Sequence, residues 1–171
     1  MRGMRMDSLP PNASRLALHA GHRHALFVYG TLQFPEVLEV LIGRVPPRHP
    51  ATAPGWRVAT LTDRLYPGLV PAPNGLAHGT VLSGLTAAEW EILDAFEDPE
   101  YDLRTIQLTN STAPVWAYIW TSAVAQEDWH PQAFITTHLA QFAANCLEWR
   151  QQHATYPCPP SSVPGPRPFR R

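Results

Sequence analysis

A strand that has to turn directly into a helix is the feature that most constrains this chain. The apolar run from Ala25 to Tyr29 reads as a buried strand, and Gly30 ends it. Pro35 then opens an apolar-periodic segment, Pro35 to Ile42, which Gly43 closes. Pro at the first helical position and Gly just past the last is the asymmetry a helix shows. The turn 30–34 therefore lies between a strand end and a helix N-terminus. Amides at such a place lack intrahelical partners and point outward, ready for an anionic group or a developing oxyanion. Most strand–turn–helix junctions are only junctions, so this one needs a second feature to become a site.

The rest of the chain supplies the elements around it. Arg44 to Pro54 reads as a Pro-rich loop and Trp56 to Leu61 as a strand. Tyr66 to Pro71 is extended and turn-rich, since Pro67 keeps Tyr66 out of helical geometry. Asn74-Gly75 predicts a hairpin turn, with Leu76 to Leu82 as the return strand. Thr86 and Glu89 form a capping box for a helix over Thr86 to Glu97, bounded by Pro99. Two strands, Asp102 to Thr109 and Pro114 to Trp120, join through Asn110 to Ala113, and a long helix spans about Pro131 to Gln151. Hairpins in place of repeated βαβ units predict an α+β fold, with a small mixed or antiparallel sheet closing toward a barrel and helices outside.

At 171 residues the chain fits one domain. Residues 1–23 lack periodicity and predict a disordered N-terminal segment, residues 24–153 the domain, and residues 154–171 a Pro-rich disordered tail. All thirteen basic residues are Arg, which excludes a Schiff-base lysine and a P-loop. The overall charge of −1 conceals an acidic body, because residues 24–153 carry six Arg against thirteen acids, a net −7. That argues against binding a phosphate backbone, so no nucleic-acid partner is expected. No apolar run approaches the roughly 18 residues of a membrane span, and no secretory leader is evident, so no membrane partner is expected and the cytoplasm is the default compartment. Cys146 and Cys158 form no metal or redox motif, and His19, His22 and His24 read as solvated rather than metal-binding.

Seven of the fourteen acids fall between Glu89 and Asp102. Solvated helix-face and turn charges describe most of them. Glu97 differs because it borders the buried face beside Phe96 and sits in the last helical turn, where the negative dipole end disfavours a carboxylate. Burial and the dipole both raise its pKa toward the working range of a general base. Asp98 and Glu100 add like charge, Arg104 is placed to offset it, and Tyr101 to orient a carboxyl oxygen. With no Gly-x-Ser-x-Gly, no motif at Cys146 and no metal spacing, the pattern points to general-base chemistry without metal, cofactor or covalent intermediate.

Four stretches in order, Tyr29-Gly30-Thr31-Leu32, Tyr66-Pro67-Gly68-Leu69-Val70, Leu93 to Tyr101 with Arg104, and Val115 to Trp120, resemble the gamma-glutamylcyclotransferase-like family, closest to its plant avirulence-induced branch and the bacterial relatives. The resemblance covers about residues 25–150. It implies a barrel-like α+β fold with a cavity between the 29–32 loop and the acidic helix end. It also implies an acyltransferase activity that closes a gamma-glutamyl group into 5-oxoproline and releases an amine. Carried over by position, Glu97 falls on the catalytic acid, and Tyr29, Gly30, Thr31 and Leu32 on the substrate-binding loop. Tyr66 lies in the second matching stretch, and Tyr101 and Tyr118 match aromatic positions near the cavity. Thr31 stands where Ser or Asn is commoner. The expected partner is a small gamma-glutamyl compound. The alternative is a non-catalytic module of the same fold that binds a small metabolite, and a third, weaker reading gives the Pro-rich tail a polyproline-ligand role.

Overall fold

The computed structural model of the protein describes residues 15–16 and 25–154. The elements run β1 (Ala25–Val28), a 3-10 turn (Thr31–Gln33), α1 (Pro35–Ile42), β2 (Arg48–Ala59), β3 (Gly68–Ser83), α2 (Ala87–Phe96), β4 (Tyr101–Ile106), β5 (Val115–Trp120), α3 (Pro131–Thr137) and α4 (Leu139–Gln152). One mixed sheet has the order β2-β3-β1-β5-β4, with β1 and β5 parallel and the other neighbours antiparallel. The fold is α+β.

The sheet curls strongly toward closure. Beyond β4, the Thr109 amide donates to the Thr52 carbonyl of β2 at 2.9 Å. Farther along β2, the Trp129 amide reaches Val58 O and the Thr60 amide reaches Glu127 O, each at 2.9 Å. The outer edge of β2 is thereby covered rather than left open to another chain. Curling gives β1 two buried faces. Phe27 and Tyr29 enter the interior of the curl with Leu69, Val81, Ile106 and Ile119. Leu26 and Val28 pack on the other side against Val37, Leu38, Leu41, Ile92 and Leu93 of the helices.

Two features of the β2–β3 pair depart from the sequence expectation. The Pro-rich segment is not all loop, because β2 begins at Arg48 and contains Pro50 and Pro54. Proline lacks a ladder donor, but β2 is the edge strand, where one row of backbone groups faces away from β3. Asn74-Gly75 likewise does not reverse the chain, since β3 runs unbroken in direction from Gly68 to Ser83. The register jumps from Leu76 opposite Pro54 to Pro71 opposite Trp56, so residues 72–75 bulge opposite Gly55. Glycine is required at 75, where a Cβ would lie 2.5 Å from Trp56 O. The reversal falls instead between Ala59 and Gly68.

The helices follow their local signals closely. Gly43, at φ 76°, ends α1 where expected. Thr86 caps α2 through a complete capping box with Glu89. The long C-terminal helix divides into α3 and α4 at His138, whose φ −126° and ψ −22° leave helical geometry. The β-branched run Ile135-Thr136-Thr137 before the break is poor helix sequence. No helix among the described residues is long and apolar enough to cross a membrane.

Candidate active site

The site begins at the C-terminal end of α2. Glu97 is its C-cap, with its amide still bonded to Leu93 O and Asp94 O at 3.2 and 3.3 Å. Its own backbone is extended (φ −77°, ψ 142°), which takes the residue off the helix path. Glu97 faces a cavity of about 330 Å³ that is also lined by Tyr29, Gly30, Thr31, Leu32, Tyr66, Tyr101 and Tyr118. All eight residues singled out in the sequence thus border one space. Burial of the Glu97 carboxyl pushes its pKa up to about 8; Arg15 draws it down, while Asp98 and Asp94 push it further up.

The loop side of the cavity is built by β1 and the 3-10 turn. Gln33 N and Phe34 N bond to Gly30 O and Thr31 O, at 3.1 and 3.3 Å. Among the described residues, no such turn or cap bond uses the amides of Gly30, Thr31 or Leu32. Glycine at 30 lets this turn lie against the next loop, since a Cβ there would come within 2.8 Å of Pro67 Cγ.

The four tyrosines frame the space, and their hydroxyl protons are already committed. Tyr29 donates to Tyr118 O (2.6 Å), Tyr118 to Asp94 Oδ1 (2.8 Å), Tyr101 to Pro67 O (2.6 Å), and Tyr66 to Asp98 Oδ2. Burial raises the pKa of Tyr29, Tyr101 and Tyr118 far above the ordinary phenol value. Burial and Asp98 push Tyr66 up to about 12. All four are therefore neutral scaffolds rather than acids or bases at neutral pH.

Several neighbours were not legible in the sequence. Asp94 and Glu89 are buried, not solvated as their place in the acidic run suggested. Asp94 meets Tyr118 and the Arg15 guanidinium, whose Nε lies 3.1 Å from Oδ1. Glu89 carries Arg44 at 2.5 and 2.8 Å as well as the Thr86 amide; burial opposes its ionisation, but these bonds hold its pKa below the ordinary value. Arg104 does not offset Glu97, because it pairs with Asp102 at 2.6 Å on the exposed side of β4. Tyr101 directs its hydroxyl to Pro67 O, away from the role of orienting the carboxyl. Arg15 is the cation beside Glu97.

Helix α4 adds the last wall, through Phe142, Asn145, Cys146 and Trp149. Phe96 of α2 meets Phe142 and Trp149 edge-on, with ring centroids 6.3 and 5.2 Å apart. Burial pushes the Cys146 thiol up to about 12, so it is a packed side chain and not a nucleophile. No cluster of metal-ligating side chains occurs among the described residues. His19, His22, His24 and Cys158 lie outside them, as do most of the N-terminal segment and the Pro-rich tail.

A curled mixed sheet with a carboxyl at a helix C-terminus facing the turn after its first strand across a cavity defines a class of small α+β proteins. A family model described as "Gamma-glutamyl cyclotransferase, AIG2-like" matches residues 26–133, and the chain belongs to that family. It is 35% identical to AIG2-like protein A of Arabidopsis thaliana over 126 residues, covering 70% of this chain and 76% of that protein. It is 42% identical to AIG2-like protein C of Arabidopsis thaliana over 99 residues, covering 56% of this chain and 58% of that protein. A solution structure of an Arabidopsis thaliana protein is similar at TM-score 0.56 and 34% identity, over 76% of this chain and 92% of that one. A structure titled "Gamma-glutamyl cyclotransferase" shares the fold at TM-score 0.54 and 12% identity, over 84% and 92%.

Proposed function

We propose that the protein is a gamma-glutamyl cyclotransferase-type acyltransferase that converts a gamma-glutamyl amide into 5-oxoproline and a free amine. The observation that carries this reading is the placement of Glu97. It is a carboxyl with its pKa raised to about 8, lining the same cavity as residues 30–32, whose amides make no turn or cap bond among the described residues.

The reaction needs the substrate's α-ammonium to lose a proton before its nitrogen can attack the γ-carbonyl carbon. Ionised Glu97 takes that proton. The new C–N bond forms, the carbonyl oxygen becomes an oxyanion, and the ring nitrogen has a second proton to lose. Protonated Glu97 first gives its proton to the departing nitrogen. Ionised again, it takes the second proton from the ring nitrogen, and the oxyanion collapses as the bond to the departing nitrogen breaks. Glu97 then passes the second proton to the released amine, which leaves as an ammonium. The proton count is neutral overall, so one carboxyl that alternates between its two states suffices. A pKa near the ambient pH suits that alternation.

Charge placement divides the labour. Among the described residues, those lining the cavity include Glu97 and Asp98 but no Arg. The tyrosine hydroxyls already donate within the protein. The amides of Gly30, Thr31 and Leu32, with the side chains of Asn145 and Trp149 on the opposite wall, are the donors we assign to the substrate's α-carboxylate and the oxyanion. The tyrosines and the Phe96–Phe142–Trp149 wall shape the space. Ring closure is intramolecular, so holding the γ-carbonyl beside the amine supplies much of the rate.

The test is a panel of gamma-glutamyl amino acids and amines, with 5-oxoproline release followed for wild type and Glu97→Gln. Release by wild type and its loss in a folded Glu97→Gln protein supports the reading. A wild-type protein that binds panel members without releasing 5-oxoproline belongs instead to the binding-module alternative.

A further inference from the structure

The family match begins at residue 26, yet Arg15 is built into the site. Its side chain is 9% exposed and reaches across more than 80 positions of sequence to the turn that follows α2. Nη2 donates to Asp94 O at 2.6 Å and to Glu97 O at 3.1 Å. Nη1 donates to Asp98 O at 2.7 Å and to Tyr101 O at 3.0 Å. Nε faces Asp94 Oδ1 at 3.1 Å, and the guanidinium carbon lies 5.5 Å from the Tyr118 ring centroid.

The geometry answers a local problem of α2. The last carbonyls of a helix lack intrahelical partners, and its C-terminal end favours a cation. Helix α2 has no basic residue in its last turn, and Asp94, Glu97, Asp98 and Glu100 crowd there instead. A planar guanidinium with five donors is the side chain that binds several carbonyls and a carboxylate together; an ammonium is a point charge and cannot span them.

We propose that Arg15 is a positioning residue for the reaction: its guanidinium clips the 94–101 turn together and so fixes the Glu97 carboxyl in the cavity. The proposal rests on Glu97 as the acting carboxyl. The clip holds the backbone on both sides of Glu97, through the carbonyls of Asp94 and of residues 97, 98 and 101. The same cation acts on a carboxyl that also faces Asp94, Asp98, Tyr29, Tyr101 and Tyr118. Without it the turn loses four side-chain hydrogen bonds at once, and Asp94 loses the guanidinium beside it.

The experiment compares full-length wild type, Arg15→Met and Arg15→Lys by three readouts. The first is hydrogen exchange at the Glu97 and Tyr101 amides, and the second is titration of Glu97 by carboxyl carbon-13 NMR. The third is steady-state kinetics, with release of 5-oxoproline giving kcat and KM for each protein. Those two amides bond Leu93 O, Asp94 O and Asp98 O, so their protection reports the turn itself. In Arg15→Met, exchange at both rises at least tenfold and the Glu97 midpoint moves up. The same variant loses kcat by about tenfold or more with KM nearly unchanged, as expected of a misplaced reacting group. Arg15→Lys, which keeps the charge and folds, restores the midpoint but neither the protection nor kcat. Wild-type protection and kcat in Arg15→Lys overturn the proposal, even where Arg15→Met proves too unstable to study. If wild type releases no 5-oxoproline, the cyclotransferase reading fails alone, and exchange and titration still decide whether Arg15 positions Glu97.

Discussion

Replacing Glu97 by Gln tests the physical basis of the site without any knowledge of the substrate. In the unfolded chain this carboxyl titrates near 4.5, and in the folded protein burial moves it to about 8. Between those values the folded state holds a proton that the unfolded state has released. The raised pKa therefore contributes stability that is complete below pH about 4.5, falls as pH rises, and is gone above about 8. The slope is at most about 1.4 kcal/mol per pH unit. Solvent entering the cavity reduces the total to roughly 3–5 kcal/mol across the window. Gln has the shape of the neutral acid and does not titrate. Urea unfolding of wild type and Glu97→Gln at intervals from pH 5 to 9 should therefore give curves that diverge. The variant gains relative stability up to about pH 8, and the difference is constant beyond it. In melting temperature the divergence amounts to about 10 °C or more for a domain of this size. Activity should follow the same titration in wild type, with kcat/KM rising through about pH 8, and should fall at least 100-fold in the variant. Parallel stability curves from pH 5 to 8 would refute the reasoning, because they would mean that Glu97 is ionised across that range like a surface carboxylate.

Other perturbations probe its surroundings. Gly30→Ala forces a methyl group to within 2.8 Å of Pro67 Cγ; KM should rise severalfold with a stability loss of about 1–3 kcal/mol, and an unchanged KM would free the loop amides from their substrate role. Tyr118→Phe removes a hydrogen bond to the buried Asp94 carboxylate, which should cost about 1.5–3 kcal/mol in urea unfolding. Arg44→Met takes the cation from buried Glu89, which keeps the Thr86 amide; with Arg44 partly in solvent, the cost near neutral pH should be about 1–3 kcal/mol. Because the folded pKa of Glu89 is lowered, its stabilising effect is present above about 4.5 and lost as pH falls below it, so the deficit of Arg44→Met should shrink in acid. Trp149→Ala opens the aromatic wall, and the ranking of gamma-glutamyl amides by KM should change while the Glu97 titration is kept; an unchanged ranking removes α4 from specificity.

Much of the local structure was legible because its causes are local. Pro35 and Gly43 bracket α1, and Thr86 with Glu89 opens α2, since each signal is a backbone donor or acceptor satisfied within a turn or two. Glu97 stood out for the same reason, as an acid placed at the wrong end of a helix. The β2–β3 pair was read less well. Prolines and Asn-Gly signal breaks in a strand considered alone, but an edge position and a four-residue bulge absorb them in the assembled sheet.

What the sequence determined by itself was the strand–turn–helix and the helix that ends in Glu97, because periodicity, caps and turn residues act over a few positions. Tertiary structure decided that the two meet across one cavity, that Glu89 and Asp94 are buried with Arg44 and Arg15, and that α4 closes the aromatic wall. The pKa of Glu97 belongs to this second group. Its proton depends on how much water remains around it and on a cation more than 80 residues away in sequence, and no local pattern encodes either.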